Sequence, residues 1–228
     1  MTMKKYIILG IVTMIMSSCA QQALITREAQ YPLMYEERPL AIAIMPPINQ
    51  TNHVEAKDFF YTTLYAPLCE KGYYVYSPMM TMEMFQTESA YDAERFLEAD
   101  LSQFRNVLGA DAAMFTIIKS WQRSQIGSSL KAGVEYILRS TKTGQTLYHR
   151  EGLITVDTSI NTGGGGWIGA LADLAASAIN TAATDKVVAG RKCTVFVLSD
   201  MPEGKYGPHY DKDQKFSAGK SYVTATVR

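Results

Sequence analysis

The chain has 228 residues, 22 Lys and Arg against 22 Asp and Glu, and an apolar fraction of 47%. That is chain for one globular domain with short appendages, with enough apolar residues for a core. Formal charge is zero and no Lys/Arg block occurs, so a nucleic-acid function has no electrostatic support.

Lys4 and Lys5 precede an uncharged apolar stretch, YIILGIVTMIM at 6–16, and Ser17 and Ser18 then lead into Cys19. The stretch is far short of the roughly 20 residues that span a bilayer, so it reads as a signal-peptide h-region. The arrangement resembles the bacterial lipobox, in which the cysteine thiol is diacylated and the peptide is cut just before it. Met16 departs from the usual leucine. Residues 1–18 are therefore expected to be a signal peptide and Cys19 the lipid anchor. Ala20, in place of the Asp that favours inner-membrane retention, points to the outer membrane, with the periplasmic face as the expected side.

Residues 20–38 are polar without a sustained period, and 19–38 reads as anchor and tether. LAIAIM (40–45), stopped by Pro46 and Pro47, reads as a buried strand. Asn52 with Glu55 forms a capping-box variant ahead of a helix with Ala56, Phe60 and Leu64 on its buried face. Pro67 should kink or end that helix near Tyr65, and Gly72 should stop it. YYVY (73–76) reads as a second strand. Ser77-Pro78 opens a helix with Met79, Met82 and Phe85 facing the core. Residues 100–108 form another, with Gly109 as its stop, and 112–121 a strand. Residues 130–139 alternate on Val134, Tyr136 and Leu138 and are answered by 147–156, with Thr143-Gly144 as the turn of an antiparallel hairpin.

Gly163 to Gly166 then lead into a helix over 168–183, and CTVFVL (193–198) reads as a last strand before a polar tail. The domain is expected over 39–210, with 211–228 a tail holding an edge strand at 222–227. The order argues an α/β two-layer sandwich, a mixed sheet with an antiparallel hairpin packed against helices.

Few residues invite chemistry. The glycine loop lacks the Lys and Ser/Thr of a phosphate-binding loop, because Trp167 and Ile168 follow it, so it reads as a connector. Ser217 to Lys220, Lys142-Thr143-Gly144 and Ser199-Asp200 match fragments of β-lactamase motifs, but in reverse order and with Gly219 inside the first. Lys142-Thr143-Gly144 is better read as turn chemistry. His53, His149 and His209 stand far apart, and Asp211-Lys212-Asp213 lacks the rest of a calcium loop, so neither a metal nor another cofactor is expected. Glu36-Glu37 reads as tether charge, and Glu98 and Asp100 as helix-start charge.

Cys69 and Cys193 are the one intrachain pair for a disulfide, which an exported compartment permits. Buried free thiols fit their apolar segments equally, and reduced cysteines are the expectation. Ala172, Ala176, Ala178 and Ala182 place small residues one turn apart, suited either to packing on the protein's own sheet or to a subunit interface.

The stretches LAIAIMPPINQTNHVEAKDFFYTTLYAPLCEKGYYVYSP, LGADAAMFTIIKSW and VEYILRSTKTGQTLY, the glycine loop with its helix, and YGPHY (206–210) together resemble a bacterial lipoprotein family. It is catalogued as domain of unknown function seven-ninety-nine and includes a neisserial surface-lipoprotein antigen. The resemblance implies a fold similar to the TolB N-terminal domain and the periplasmic domain of the curli secretion lipoprotein CsgG. It also implies work by docking: a non-enzymatic component of an envelope secretion or assembly complex, self-associating and joined by CsgG-like lipoproteins. The alternative it raises is activation of a peptidoglycan synthase.

Overall fold

The computed structural model describes residues 25–87, 93–123, 129–157 and 182–227. The signal peptide, Cys19, the glycine loop and Ala172, Ala176 and Ala178 lie outside the described residues, as does the side chain of Ala182. Two short helices come first, α1 (Arg27–Gln30) and α2 (Pro32–Glu37), followed by β1 (Ala41–Ile44) and β2 (Ile48–Asn49). Next are α3 (Ala56–Thr63), α4 (Tyr65–Glu70), β3 (Tyr74–Val75), α5 (Pro78–Thr87), a 3-10 turn at Ala93–Phe96, and α6 (Ser102–Leu108). The long strands β4 (Ala112–Arg123), β5 (Ser129–Ser140) and β6 (Thr146–Asp157) precede α7 (Ala182–Val197) and β7 (Tyr222–Val227).

The strands form one mixed sheet in the order β3-β1-β4-β5-β6-β7, with β2 also on β4. β1 runs parallel to β3 and β4, and β7 parallel to β6. The β4–β5–β6 run is antiparallel. This is the α/β architecture expected, with helices packed on a mixed sheet. On one face the larger core joins Ile42, Ile44, Met114, Val134, Tyr136 and Ile154 to Phe60 of α3 and Cys193 and Val197 of α7. On the other face Ala113, Phe115 and Ile117 meet Phe85 of α5, Leu101, and Phe104 of α6. The uninterrupted apolar run of β1 follows from this cover, since every residue of the strand is buried. The hairpin keeps its alternation because helices cover one of its faces and solvent meets the other, where Lys131 and His149 are exposed.

Several local expectations are corrected. CTVFVL (193–198) is not a strand. It is the C-terminal turns of α7 and the residue beyond, with Ala189, Cys193 and Val197 fully buried at i, i+4, i+8 while Val195 is 36% exposed. A short apolar run satisfies either period, and the burial here follows the helical one. The capping box at Asn52 does not form, because the residue ahead of α3 is Glu55, in helical conformation and without a side-chain cap bond. Met79 faces solvent at 79% exposure, leaving Thr81 and Phe85 as the buried residues of α5. Residues from Thr26 on are folded rather than tether, with Tyr31 and Met34 buried against the main core.

The helix break near Tyr65 is present: α3 ends at Thr63 and α4 restarts at Tyr65, with Pro67 in its first turn. Gly72 does more than stop a helix. Its φ is +86°, and a Cβ there would sit 2.0 Å from the backbone nitrogen of Gly207. That approach lets Lys71 and Gly72 carbonyls accept from the backbone N–H of Gly204 (2.8 Å) and Tyr206 (2.9 Å). Gly72→Ala should therefore cost about 3 kcal/mol, combining left-handed strain with overpacking, and urea unfolding monitored by circular dichroism reads it.

Candidate functional site

Arg150 sits on β6 in the inward register shared by Tyr148, Ile154 and Val156, and is only 4% exposed. A guanidinium there must be paired, because an isolated buried charge costs far more than the fold can spare. Its Nη1 donates to Asp200 Oδ1 (2.9 Å), Ser199 Oγ (3.2 Å) and the Val197 carbonyl (2.8 Å), and its Nε to the Lys220 carbonyl (3.1 Å). Asp200 also accepts from the hydroxyls of Tyr31 (2.8 Å) and Tyr148 (3.0 Å) and from the Gly219 backbone N–H (2.8 Å). Burial first, and then the Asp200 charge, raise the Tyr31 hydroxyl above its ordinary range, so it stays a donor. Gly219 is fitted to this place, since a Cβ on it would lie 2.0 Å from an Arg150 nitrogen.

A second buried carboxylate, Asp213, accepts from Arg27 Nη1 (2.7 Å), the Tyr35 hydroxyl (3.1 Å) and the Glu203 backbone N–H (3.0 Å). Main-chain bonds run alongside: Arg27 N–H to Phe216 (2.8 Å), Glu28 N–H to Gln214 (3.1 Å) and Ala218 N–H to Ile25 (2.7 Å). Glu37 on α2 accepts from the Thr143 hydroxyl (2.7 Å) and from Ser140, fixing α2 on the hairpin turn. The N-terminal helices and the 199–220 segment thus close on each other and on one end of the sheet.

The motif fragments fall within this architecture rather than in a cleft. Asp200 of Ser199-Asp200 is the buried partner of Arg150. Ser217 is exposed, its hydroxyl donating to the Ala218 carbonyl at 3.3 Å, and Lys142 lies exposed in the hairpin turn. Asp213 of the Asp211-Lys212-Asp213 stretch is bound to Arg27. His149 pairs with Glu135 (2.7 Å) and His209 with Glu203 (2.9 Å). Among the described residues no group of three or more His, Cys, Asp or Glu is placed to hold a metal ion.

On the solvent face of the hairpin Lys119, at the β4 irregularity, bridges Glu135 (2.9 Å) and Glu151 (2.8 Å). Burial opposes the Glu135 charge, yet the Lys119 and His149 bonds outweigh it and hold the carboxyl below its ordinary value. The buried pairs themselves were missed from the sequence. Their signal is Arg150, a charge at an inward position of an otherwise alternating strand.

Cys69 on α4 is partly exposed and Cys193 on α7 is buried, and both are free thiols. Burial raises both thiols above the usual range.

The sequence profile of the family described as "Putative lipoprotein GNA1162-like" matches residues 29–208. A protein of Neisseria meningitidis serogroup B, named as a "Putative lipoprotein", is 23% identical over 185 residues, 80% of this chain and 84% of that one. The crystal structure of lipoprotein GNA1162 from Neisseria meningitidis is 20% identical, with a TM-score of 0.47 over 61% of this chain and 94% of that chain. A PelC dodecamer from Paraburkholderia phytofirmans is 15% identical, with a TM-score of 0.44 over 72% of this chain and 90% of that chain.

Asp200→Ala strands Arg150 and should destabilise the domain by about 3–5 kcal/mol, read by chemical denaturation, whereas Asp200→Asn, which keeps an acceptor for Tyr31, Tyr148 and Gly219, should cost less. In a thiol titration of Cys19→Ser, Cys69 should react in the folded protein and Cys193 only after unfolding, for two thiols in all; a count of zero after unfolding would reveal a bridge.

Proposed function

Because the chain belongs to the family described as "Putative lipoprotein GNA1162-like", we propose that it is a lipoprotein held by acylated Cys19 at the periplasmic face of the outer membrane. There it serves as a non-enzymatic part of an envelope secretion or assembly complex. The observation that carries this reading is one of placement: Cys19 ends the lipobox-like stretch, and from Thr26 the chain is already part of the fold. The domain is thereby kept at the membrane surface, where its output is contact with other proteins. In support, the buried Arg150–Asp200 pair ties the segment after α7 to the sheet, and Arg27–Asp213 ties the first helix to the 203–220 segment.

Partners in this reading are a second copy and other envelope lipoproteins, CsgG-like ones among them. Two features are proposed for self-association: the small residues Ala172, Ala176, Ala178 and Ala182, spaced about one helical turn apart in the sequence, and the outer edge of β7, which ends the sheet path. The domain boundaries proposed are 1–18 for the signal, 19–25 for the anchor, and Thr26 onward for the domain.

Cys19→Ser should move the protein from the membrane to the soluble fraction in cell fractionation, and unchanged attachment would sink the anchor reading. Crosslinking in intact cells should capture dimers and at least one further lipoprotein; a strict monomer in sedimentation at micromolar concentration, with no crosslinked partner, would count against the assembly reading.

A further inference from the structure

The chain enters the fold at Ile25, whose carbonyl accepts from Ala218, and Thr26 bridges Ser217 in antiparallel pairing. From Cys19 to Ile25 is six peptide steps, so Ile25 stays within roughly 20 Å of the anchoring cysteine whatever path they take. The segment pinned beside Ile25 is DKDQKFSAGK, residues 211–220. It carries an apolar tip and a basic surround. Phe216 is 43% exposed and Ile25 57% exposed. Lys212, Lys215 and Lys220 are exposed, and Lys205 lies just upstream.

The acids of this stretch are engaged. Asp213 is buried on Arg27, Asp211 pairs with Arg38 at 3.3 Å, and Glu203 holds His209. Glu28, whose backbone N–H donates to Gln214, is exposed, as is Asp211. The Phe216 ring is held in place, with the Arg27 guanidinium 5.4 Å from its centroid and the His209 ring at 5.6 Å. An ordered aromatic flanked along the chain by exposed lysines, beside the point where the segment from Cys19 joins the fold, matches an interface that accepts apolar groups at acyl depth and phosphates above them.

We propose that Ile25, Phe216 and the lysines of 205–220 form a membrane-docking face that rests on anionic phospholipid headgroups. This rests on the reading of Cys19 as the lipid anchor: the lipid keeps the domain at the bilayer, and the face sets its orientation there. Two weak contacts then act as one, since the short link raises the local concentration of headgroups at the face.

The test uses full-length lipidated protein in vesicles of phosphatidylethanolamine and phosphatidylglycerol. Flotation of the parent and of Cys19→Ser comes first, and then tryptophan quenching by lipids brominated on the acyl chain. With the signal of the native Trp121 and Trp167 in the parent subtracted, Phe216→Trp should gain quenching about twofold greater than Val54→Trp, as expected of a side chain at the headgroup–acyl boundary. Val54 is 86% exposed and follows β2, which lies on the side of the sheet away from β7. Lys215→Glu with Lys220→Glu, placed in the Phe216→Trp background, should abolish that excess. A parent that fails to float, like Cys19→Ser, overturns the anchor reading and this one with it. A parent that floats, with both tryptophans quenched alike, overturns the docking face alone and leaves the surface to a protein. Circular dichroism of each variant beside the parent shows that a lost signal is not lost folding.

Discussion

Two carboxylates taken out of water determine how this chain closes. Asp200 and Asp213 are buried, and each is tolerable only while its donors stay in place. Those donors come from distant parts of the chain: Arg150 from β6 beside the sheet's edge strand, Tyr31, Tyr35 and Arg27 from the first helices and the residue between them, and backbone N–H groups from Glu203 and Gly219. The arrangement specifies more than it stabilises. A hydrophobic substitute could fill the same space, but it would accept many orientations of α1 and α2, whereas a carboxylate with several directed donors accepts one.

The sheet makes that arrangement affordable. Its parallel part is covered by helices on both faces, while its hairpin part is covered on one and carries the Lys119–Glu135–Glu151 cluster on the other. α7 can lie close over β6 because Gly152 has no side chain, where a Cβ would stand 2.4 Å from Val197. That closeness brings the end of α7 over Arg150, so its Nη1 reaches the Val197 carbonyl at 2.8 Å. Packing and electrostatics meet at the same helix end, and neither works without the other.

Much of the fold was legible in residue order, and the exceptions share a cause. β1, the β5–β6 hairpin and the stops at Gly72 and Gly109 follow from runs, alternation and turn chemistry, all of them local. The 193–198 run was misread because six apolar residues fit both periods, and tertiary cover decided between them. The stretch before Arg38 looked like tether because it is polar and aperiodic, yet its polar groups are the ones that answer Asp200 and Asp213. What belongs to long-range pairing leaves little local trace. The lipobox-like stretch ending at Cys19 is the opposite case, an expectation that rests on a few adjacent residues alone.

The separation between Arg27 and Asp213, 186 positions along the chain, gives the protein a temporal order. Arg27 and Tyr31 are made near the start of the described residues, and their acceptors Asp213 and Asp200 far later. At ordinary synthesis speeds of about 5–20 residues per second, the early groups wait roughly 10–40 s for their partners. Over that interval the N-terminal helices can meet the hairpin through Ser140, Thr143 and Tyr148, but their carboxylate partners are supplied only by the 199–220 segment. Formation of these contacts thus reports that the chain has been made through Asp213 and Gly219, so a polypeptide cut short anywhere before Asp200 stays recognisably unfinished to whatever surveys it.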